Sequence, residues 1–225
     1  HKFLIGLSGG LDSVVLLHAM AKLRDQPGAN FQLRALHINH QLQDQASSWE
    51  MHCLDLCAKL GVEFITTKVE ISGSSGLENV ARAARYREFE ATLRIDEELL
   101  LAHHRDDQME TLLLRLIRGS GSRGLSGIPR SRVLGASRLL RPLLDIDREE
   151  LQCYAESEQL IWVEDHSNKD EGFDRNYCRH TLLPFIEARW PVYRQSWSKS
   201  AVLASESEAL LQELAAIDLA QITTV

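Results

Sequence analysis

The sequence predicts an α/β fold, a doubly wound and mainly parallel sheet with helices on both faces, followed by a small helical extension. Three observations carry this. Apolar runs with β-branched residues alternate with segments of 3.6-residue periodicity as far as Gly119. Glycine-rich or polar breaks separate the segments. The strand-then-helix order demands crossovers, which make the strands parallel and put ligands at their carboxyl ends.

Phe3 to Leu7 reads as the first strand and Asp12 to Leu23 as the first helix. A second strand, Leu33 to Asn39, precedes a helix whose stripe is Ala46, Trp49, Cys53, Leu56, Cys57 and Leu60, stopped by Gly61. Val62 to Ile71 is the third strand. After the Ser/Gly loop 72 to 76 come a helix over about 77 to 94, a short strand from Leu99 to Ala102, and a helix ending at Gly119. Gly119 to Gly127, GSGSRGLSG, reads as a loop, and beyond it the alternation fades into short helices, Asp147 to Leu160 and from Asn176 onward. Residues 194 to 220 read as one long amphipathic helix offering Leu210, Leu211, Leu214 and Ile217 for packing.

Composition narrows the classes. The 225 residues carry 25 Lys+Arg against 32 Asp+Glu, net −7, with 44% hydrophobic residues, which excludes disorder and collagen. No uncharged apolar run approaches the ~18 residues that span a bilayer, and HKFLIGLSGG enters a strand without a signal-peptide layout, so a cytoplasmic protein is expected. The first residue is not Met and the last stretch is still helical, so a piece of a longer protein is expected. Cys53, Cys57, Cys153 and Cys178 include no CxxC; Cys53 and Cys57 share a helix face and read as buried small hydrophobes. From Arg115 to Arg141 there are seven arginines and no Asp or Glu, either a solvated loop or a polyanion contact.

Four segments carry candidate chemistry. Ser8-Gly9-Gly10-Leu11-Asp12-Ser13 follows a strand and opens a helix. Its glycines permit a positive-φ turn, and its successive N–H groups and helix N-terminus make an anion nest for a phosphate or pyrophosphate. Ser8 and Ser13 can donate hydroxyl hydrogen bonds, and Asp12 can hold Mg²⁺; otherwise Asp12 or Ser13 is a helix cap. His103-His104-Arg105-Asp106-Asp107-Gln108-Met109-Glu110-Thr111 stands at a strand tip, with Asp107 and Glu110 on one helix face. Two such carboxylates can coordinate Mg²⁺, hold an ammonium or take a proton from an amine, or they are a capping pair. Glu78, Arg82 and Arg85 share a face of the third helix, and Arg175 and Arg179, four apart after Glu164-Asp165-His166-Ser167-Asn168, can present two guanidinium groups to phosphates or a carboxylate. Each of the last two reads, alone, as structural.

SGGxDS after the first strand resembles the pyrophosphatase loop of the N-type ATP pyrophosphatases (PP-loop family). HHxxDDQxET, ExxARxxRY, RGSGxxGLxGI, RPLL, the ED-x-SN segment and RNxxR are similar, in this order and spacing over about residues 3 to 190, to the tRNA(Ile)-lysidine synthetase family. His37-Ile38-Asn39-His40 looks like its HVHHG segment, with Asn39 for a His and Gln41 for the Gly. The resemblance implies an adenylation domain over 1–142, a helical extension completing the active site over 143–190, and a linker helix over 191–225 toward C-terminal domains. It implies an enzyme, an ATP- and Mg²⁺-dependent ligase that adenylates the C2 oxygen of the wobble cytidine of CAU-anticodon tRNA(Ile) and attaches free L-lysine. On it, the Ser8–Ser13 loop (Ser8, Gly9, Gly10, Leu11, Asp12, Ser13) binds the phosphates and Asp12 the metal. Asp107 and Glu110 handle the lysine ammonium, His103 and Arg175 sit around the reacting groups, and Arg82, Arg85 and Arg179 bind substrate. The partners are the tRNA and lysine, with no membrane, and the chain could form a homodimer. A related tRNA thiolase, with catalytic cysteines, and a non-catalytic adenine-nucleotide sensor are the alternatives.

Overall fold

Strand β1 (Lys2–Gly6) carries Phe3, Leu4 and Ile5 in succession instead of alternating with polar residues, the pattern of a strand covered on both faces. Leu4 and Ile5 are both fully buried and point to opposite sides of the sheet. Helix α1 (Leu11–Arg24) and helix α2 (Ala46–Lys59) cover one face, where Ile5 and Leu7 meet Val14, Leu17, Cys53 and Cys57. Helix α3 (Leu77–Thr92) covers the other, where Leu4 and Leu36 meet Phe89. The computed structural model describes residues 1–39, 46–69, 77–165 and 170–222. Residues 70 and 71, the expected end of the third strand, lie outside them.

The sheet has six strands in the order β3-β2-β1-β4-β6-β5, with β2 at Gln32–Asn39, β3 at Glu63–Lys68, β4 at Glu97–Leu100, β5 at Ser131–Leu134 and β6 at Ser137–Leu140. All neighbours are parallel except β5 and β6. From β1 the chain winds outward through β2 to β3, then returns to place β4 on the other side of β1. The strand order therefore reverses between β1 and β4, and a ligand site belongs at their carboxyl ends.

The hairpin of β5 and β6 corrects the expectation that strands end near Gly119. Gly135 (φ 56°) starts its two-residue turn, a conformation that matches the twist of paired strands and favours glycine. The local signal was Arg132 to Leu140, RVLGASRLL, which reads as two short apolar runs about a Gly turn.

The chain divides into two compact units, His1–His104 with Arg130–Asp165, and Arg105–Pro129 with His166–Val225. The first holds the whole sheet, with helix α6 (Arg148–Ser157) packed through Leu151 and Ala155 on Leu11 and Val15. In order, the second holds α4 (Arg105–Ile117), α5 (Ser122–Leu125), α7 (Asp174–Tyr177), a π-helical turn (Cys178–Leu182), α8 (Leu183–Arg189) and α9 (Tyr193–Ile222). Its core is Met109, Leu112, Leu183, Tyr193 and Ala201. The segment read as a pure loop contains α5, and Arg115 donates to the Gly124 and Gly127 carbonyls at 2.8 Å each. Leu210, Leu211, Leu214 and Ile217 of α9 are exposed. Among the described residues no helix is long and apolar enough to cross a membrane.

At the opposite end of the sheet from the candidate site, Arg34 grips Glu97 through Nε (2.8 Å) and Nη2 (2.6 Å), with both side chains buried. Burial opposes ionisation of Glu97, but Arg34 and the Arg94 N–H outweigh it and hold the carboxyl below its usual 4.5. A depressed folded value stabilises the fold above the unfolded value and loses that stabilisation as pH falls through the folded one. Glu97→Ala, which leaves the buried guanidinium only the longer 3.6 Å contact with the half-exposed Glu63 and the Thr92 carbonyl, is expected to cost about 3 kcal/mol near neutrality. Thermal unfolding at pH 7 and pH 3 checks this, since the gap from the unmodified protein should narrow at the lower pH.

Candidate active site

The first unit brings the Ser8–Ser13 loop to the carboxyl end of β1, at the point where strand order reverses. Gly9 has φ 86°, which favours glycine, and a Cβ there would press on the Cys53 Sγ at 3.1 Å. Gly10, by contrast, has φ −75° and needs no left-handed backbone; it is the residue before the first turn of α1. The Ser13 hydroxyl donates to the Gly10 carbonyl at 3.0 Å and accepts from the Ser8 N–H at 3.2 Å. With its proton so placed, the 3.0 Å contact between the two hydroxyls has Ser8 as donor. Both hydroxyl protons therefore brace the loop. For an anion it presents backbone N–H groups, because the first turn of a helix has no carbonyls to satisfy its own donors. The Val163 N–H, in the segment after α6, closes the loop by donating to the Gly9 carbonyl at 2.9 Å.

Asp12 stands in the first turn of α1, with the His104 Nε2 3.5 Å from its Oδ2 and the Arg148 Nε 4.0 Å from its Oδ1. Its Oδ1 is buried and has no hydrogen bond among the described residues. A buried, hydrogen-bond-deficient carboxylate oxygen beside an anion nest suits a hard cation. The described residues hold no group of three His, Cys, Asp or Glu side chains fit for a metal, so a Mg²⁺ there would take most of its ligands from phosphate oxygens and water.

His103 and His104 follow β4 and turn to opposite sides, as successive residues leaving a strand do. His104 is buried toward Asp12; His103 Nδ1 accepts from the Arg141 Nε at 3.3 Å. Arg82 and Arg85 are exposed on α3, and Arg82 lies 5.8 Å from the Tyr86 ring centroid. The Glu78 side chain lies outside the described residues, as do His40, Gln41, His166, Ser167 and Asn168.

The second unit gathers Asp107, Glu110, Arg175 and Arg179. Glu110 is fully buried, and its two oxygens accept from the Nε of Arg175 and of Arg179, each at 2.6 Å. The outer nitrogens of the same guanidinium groups reach Asp107 Oδ1 at 3.3 and 3.6 Å. Two cations thus bridge two anions. Four residues apart, Arg175 in α7 and Arg179 in the π-helical turn stand side by side and address both oxygens of one carboxylate. Burial works against the Arg179 charge, but Glu110 and Asp107 raise its proton affinity above the usual range. Glu110 sits in the second turn of α4, past the first-turn N–H groups, so the capping-pair alternative does not apply. Arg118 supports the group by holding Asp174, next to Arg175, at 2.9 Å.

The arginine-rich segment is not one track. Arg115 braces its own loop, Arg130 pairs with Asp145, and Arg141 is buried. Sequence reasoning gave no role to Tyr86 or Arg148 and read Arg141 only as one of seven basic residues, although Tyr86 and Arg141 lie inside the quoted motifs; their proximity arises from strands and helices far apart in the chain. Cys53 and Cys57 are buried, and burial pushes each thiol up to about 12.

The sequence model of the PP-loop domain matches residues 1–186. The tRNA(Ile)-lysidine synthase of Pseudomonas fluorescens is 47% identical over 217 residues, 96% of this chain and 49% of that protein. That of Alkalilimnicola ehrlichii is 49% identical over 221 residues, 97% and 49% of the two chains. The chain spans about half the length of these curated relatives. A similar solved structure is the U34-tRNA thiolase NcsA from Methanococcus maripaludis with its [4Fe-4S] cluster, at TM-score 0.73 and 18% identity, covering 91% of this chain and 72% of that one. That likeness concerns the fold alone.

Proposed function

Because the chain belongs to the PP-loop domain family, we propose that it adenylates the C2 oxygen of the wobble cytidine in CAU-anticodon tRNA(Ile) and joins free L-lysine to that carbon, making lysidine. The observation that carries the nucleotide half of this reading is Asp12, whose buried Oδ1 has no hydrogen bond among the described residues, at the mouth of a loop shaped by Gly9. The relatives named for lysidine synthesis supply the substrate class.

In this reading the loop's N–H groups and the α1 N-terminus hold the ATP phosphates. The cytidine C2 oxygen attacks the α-phosphorus, the bond to pyrophosphate breaks, and the O-adenylated base becomes electrophilic at C2. A Mg²⁺ held by Asp12 would neutralise phosphate charge when bound. His104 orients the Asp12 carboxylate from its buried position. Lysine's ε-ammonium, with an ordinary pKa ~10.4, must lose a proton before its nitrogen attacks. Asp107, the less enclosed carboxylate of its pair, binds that ammonium and accepts the proton. Glu110 holds Arg175 and Arg179 in place, and their charge favours the departing AMP as the C–N bond forms and the C–O bond breaks. His103, Arg82 and Arg85 contact the RNA nucleotide. The thiolation alternative needs paired reactive cysteines; Cys53 and Cys57, four apart, are buried and retain their protons, and the exposed Cys153 has no cysteine near it in the sequence.

Mass spectrometry of nucleosides from CAU-anticodon tRNA incubated with the protein, ATP and lysine should show lysidine, dependent on both small molecules. Labelled pyrophosphate exchanging into ATP with RNA present, but no lysidine at any lysine concentration, would leave adenylation standing and reject lysine as the nucleophile.

A further inference from the structure

We propose that Arg82, Arg132 and Arg141, gathered around Tyr86, form a second phosphate site that receives a backbone phosphate of the RNA. It rests on the reading above in taking RNA as the substrate and in placing the ATP phosphates at the loop after β1.

Three separate elements supply the cations. Arg82 and Tyr86 are one turn apart on α3, Arg132 is on β5, and Arg141 follows β6. The Arg132 guanidinium lies 4.4 Å from the Tyr86 ring centroid and that of Arg82 5.8 Å, both within cation–π range. Arg141, 4% exposed, stands close enough to Tyr86 for its charge to act on the phenol, and it donates through Nε to His103. Burial opposes ionisation of Tyr86, yet the field of Arg141, Arg82 and Arg132 outweighs it and draws the phenol below its usual range. Burial first, then Arg132 and Arg82, hold Arg141 below its own. Like charges converging on one ring repel each other. An anion placed among them relieves that repulsion, and guanidinium forks match phosphate oxygens.

Position argues for the RNA over the nucleotide. The ATP phosphates are assigned to the loop after β1, and β4 stands between β1 and β6 in the sheet. The strip therefore runs from Asp12 through His104 and His103 to Arg141, about 10 Å across two strand spacings. An anion at the arginines is thus set two strand spacings away from the phosphate loop. The rim arginines, Arg82 and Arg132, are exposed, as a polymer requires.

The test measures binding of a labelled anticodon stem-loop RNA across a salt series. Arg132→Gln and Arg82→Gln should each weaken binding and flatten the slope of log K against log salt by about 0.7–0.9 per lost phosphate contact. ATP binding should be unchanged in both. Arg141→Gln should do the same more strongly; if it does not fold, the two exposed variants decide. Unchanged RNA slopes in both would overturn the site, as would a loss of ATP affinity with RNA binding intact, which would make it a nucleotide subsite. The expected slopes together with no lysidine formation would leave this site standing and reject the reaction proposed above.

Discussion

Asp12→Ala should abolish pyrophosphate exchange into ATP while leaving the protein as stable as before, or slightly more so. A metal-held phosphate contributes several kcal/mol to charge stabilisation, and about 1.4 kcal/mol is a factor of ten, so the rate should fall by roughly 10²-fold or more. Stability should move the other way because Asp12 Oδ1 is a buried acceptor without a hydrogen bond among the described residues, and such a group is a cost to the fold. The 3.5 Å approach of His104 and the 4.0 Å approach of Arg148 are too long to repay that cost. Exchange kinetics and thermal unfolding on the same preparation separate the two effects. Normal exchange in a folded variant would remove Asp12 from the nucleotide site, and a large drop in melting temperature would recast it as a structural residue.

Glu110→Gln should impair both stability and chemistry. The carboxylate is fully enclosed, and both its oxygens accept guanidinium Nε–H groups at 2.6 Å. An amide offers one acceptor oxygen and turns an NH₂ donor toward the other guanidinium, which leaves two cations facing the single charge of Asp107. Removing one partner of a buried ion pair costs about 3–5 kcal/mol, and that range is expected here. The surviving folded protein should show a lower turnover for lysidine formation, because Arg175 and Arg179 lose their common anchor. Asp107→Asn provides the contrast: it should raise the lysine KM while lowering the melting temperature less than Glu110→Gln does. A Glu110→Gln protein with unchanged melting temperature would contradict the anchoring geometry, and equal lysine KM values in Asp107→Asn and the unmodified protein would take the ammonium away from Asp107.

The functional edge of the sheet was legible because it depends on local order along the chain. Strand, glycine turn and helix in Leu4 to Leu17 specify the loop proposed to hold phosphate, since the φ freedom of Gly9 and the exposed N–H groups of a helix start are properties of a few consecutive residues. The alternation of apolar runs likewise announced a parallel sheet, and with it the side on which ligands bind. The β5–β6 hairpin was missed because its strands are four residues each and carry arginines on their outward positions, which looked like a basic loop.

What only the tertiary structure decided is which charges meet. Asp107 and Glu110 read as a helix-face pair, and Arg175 and Arg179 as another; that Glu110 takes both guanidinium groups depends on packing between segments 65 and 69 residues apart. Arg141 read as one of seven basic residues, yet it is buried against Tyr86 and His103, while Arg115 is bound to its own loop. Composition fixes how many charges a chain carries, but an ion pair is a contact a few ångströms long. Its partners are chosen by how the backbone closes around the core, and no local pattern encodes that choice.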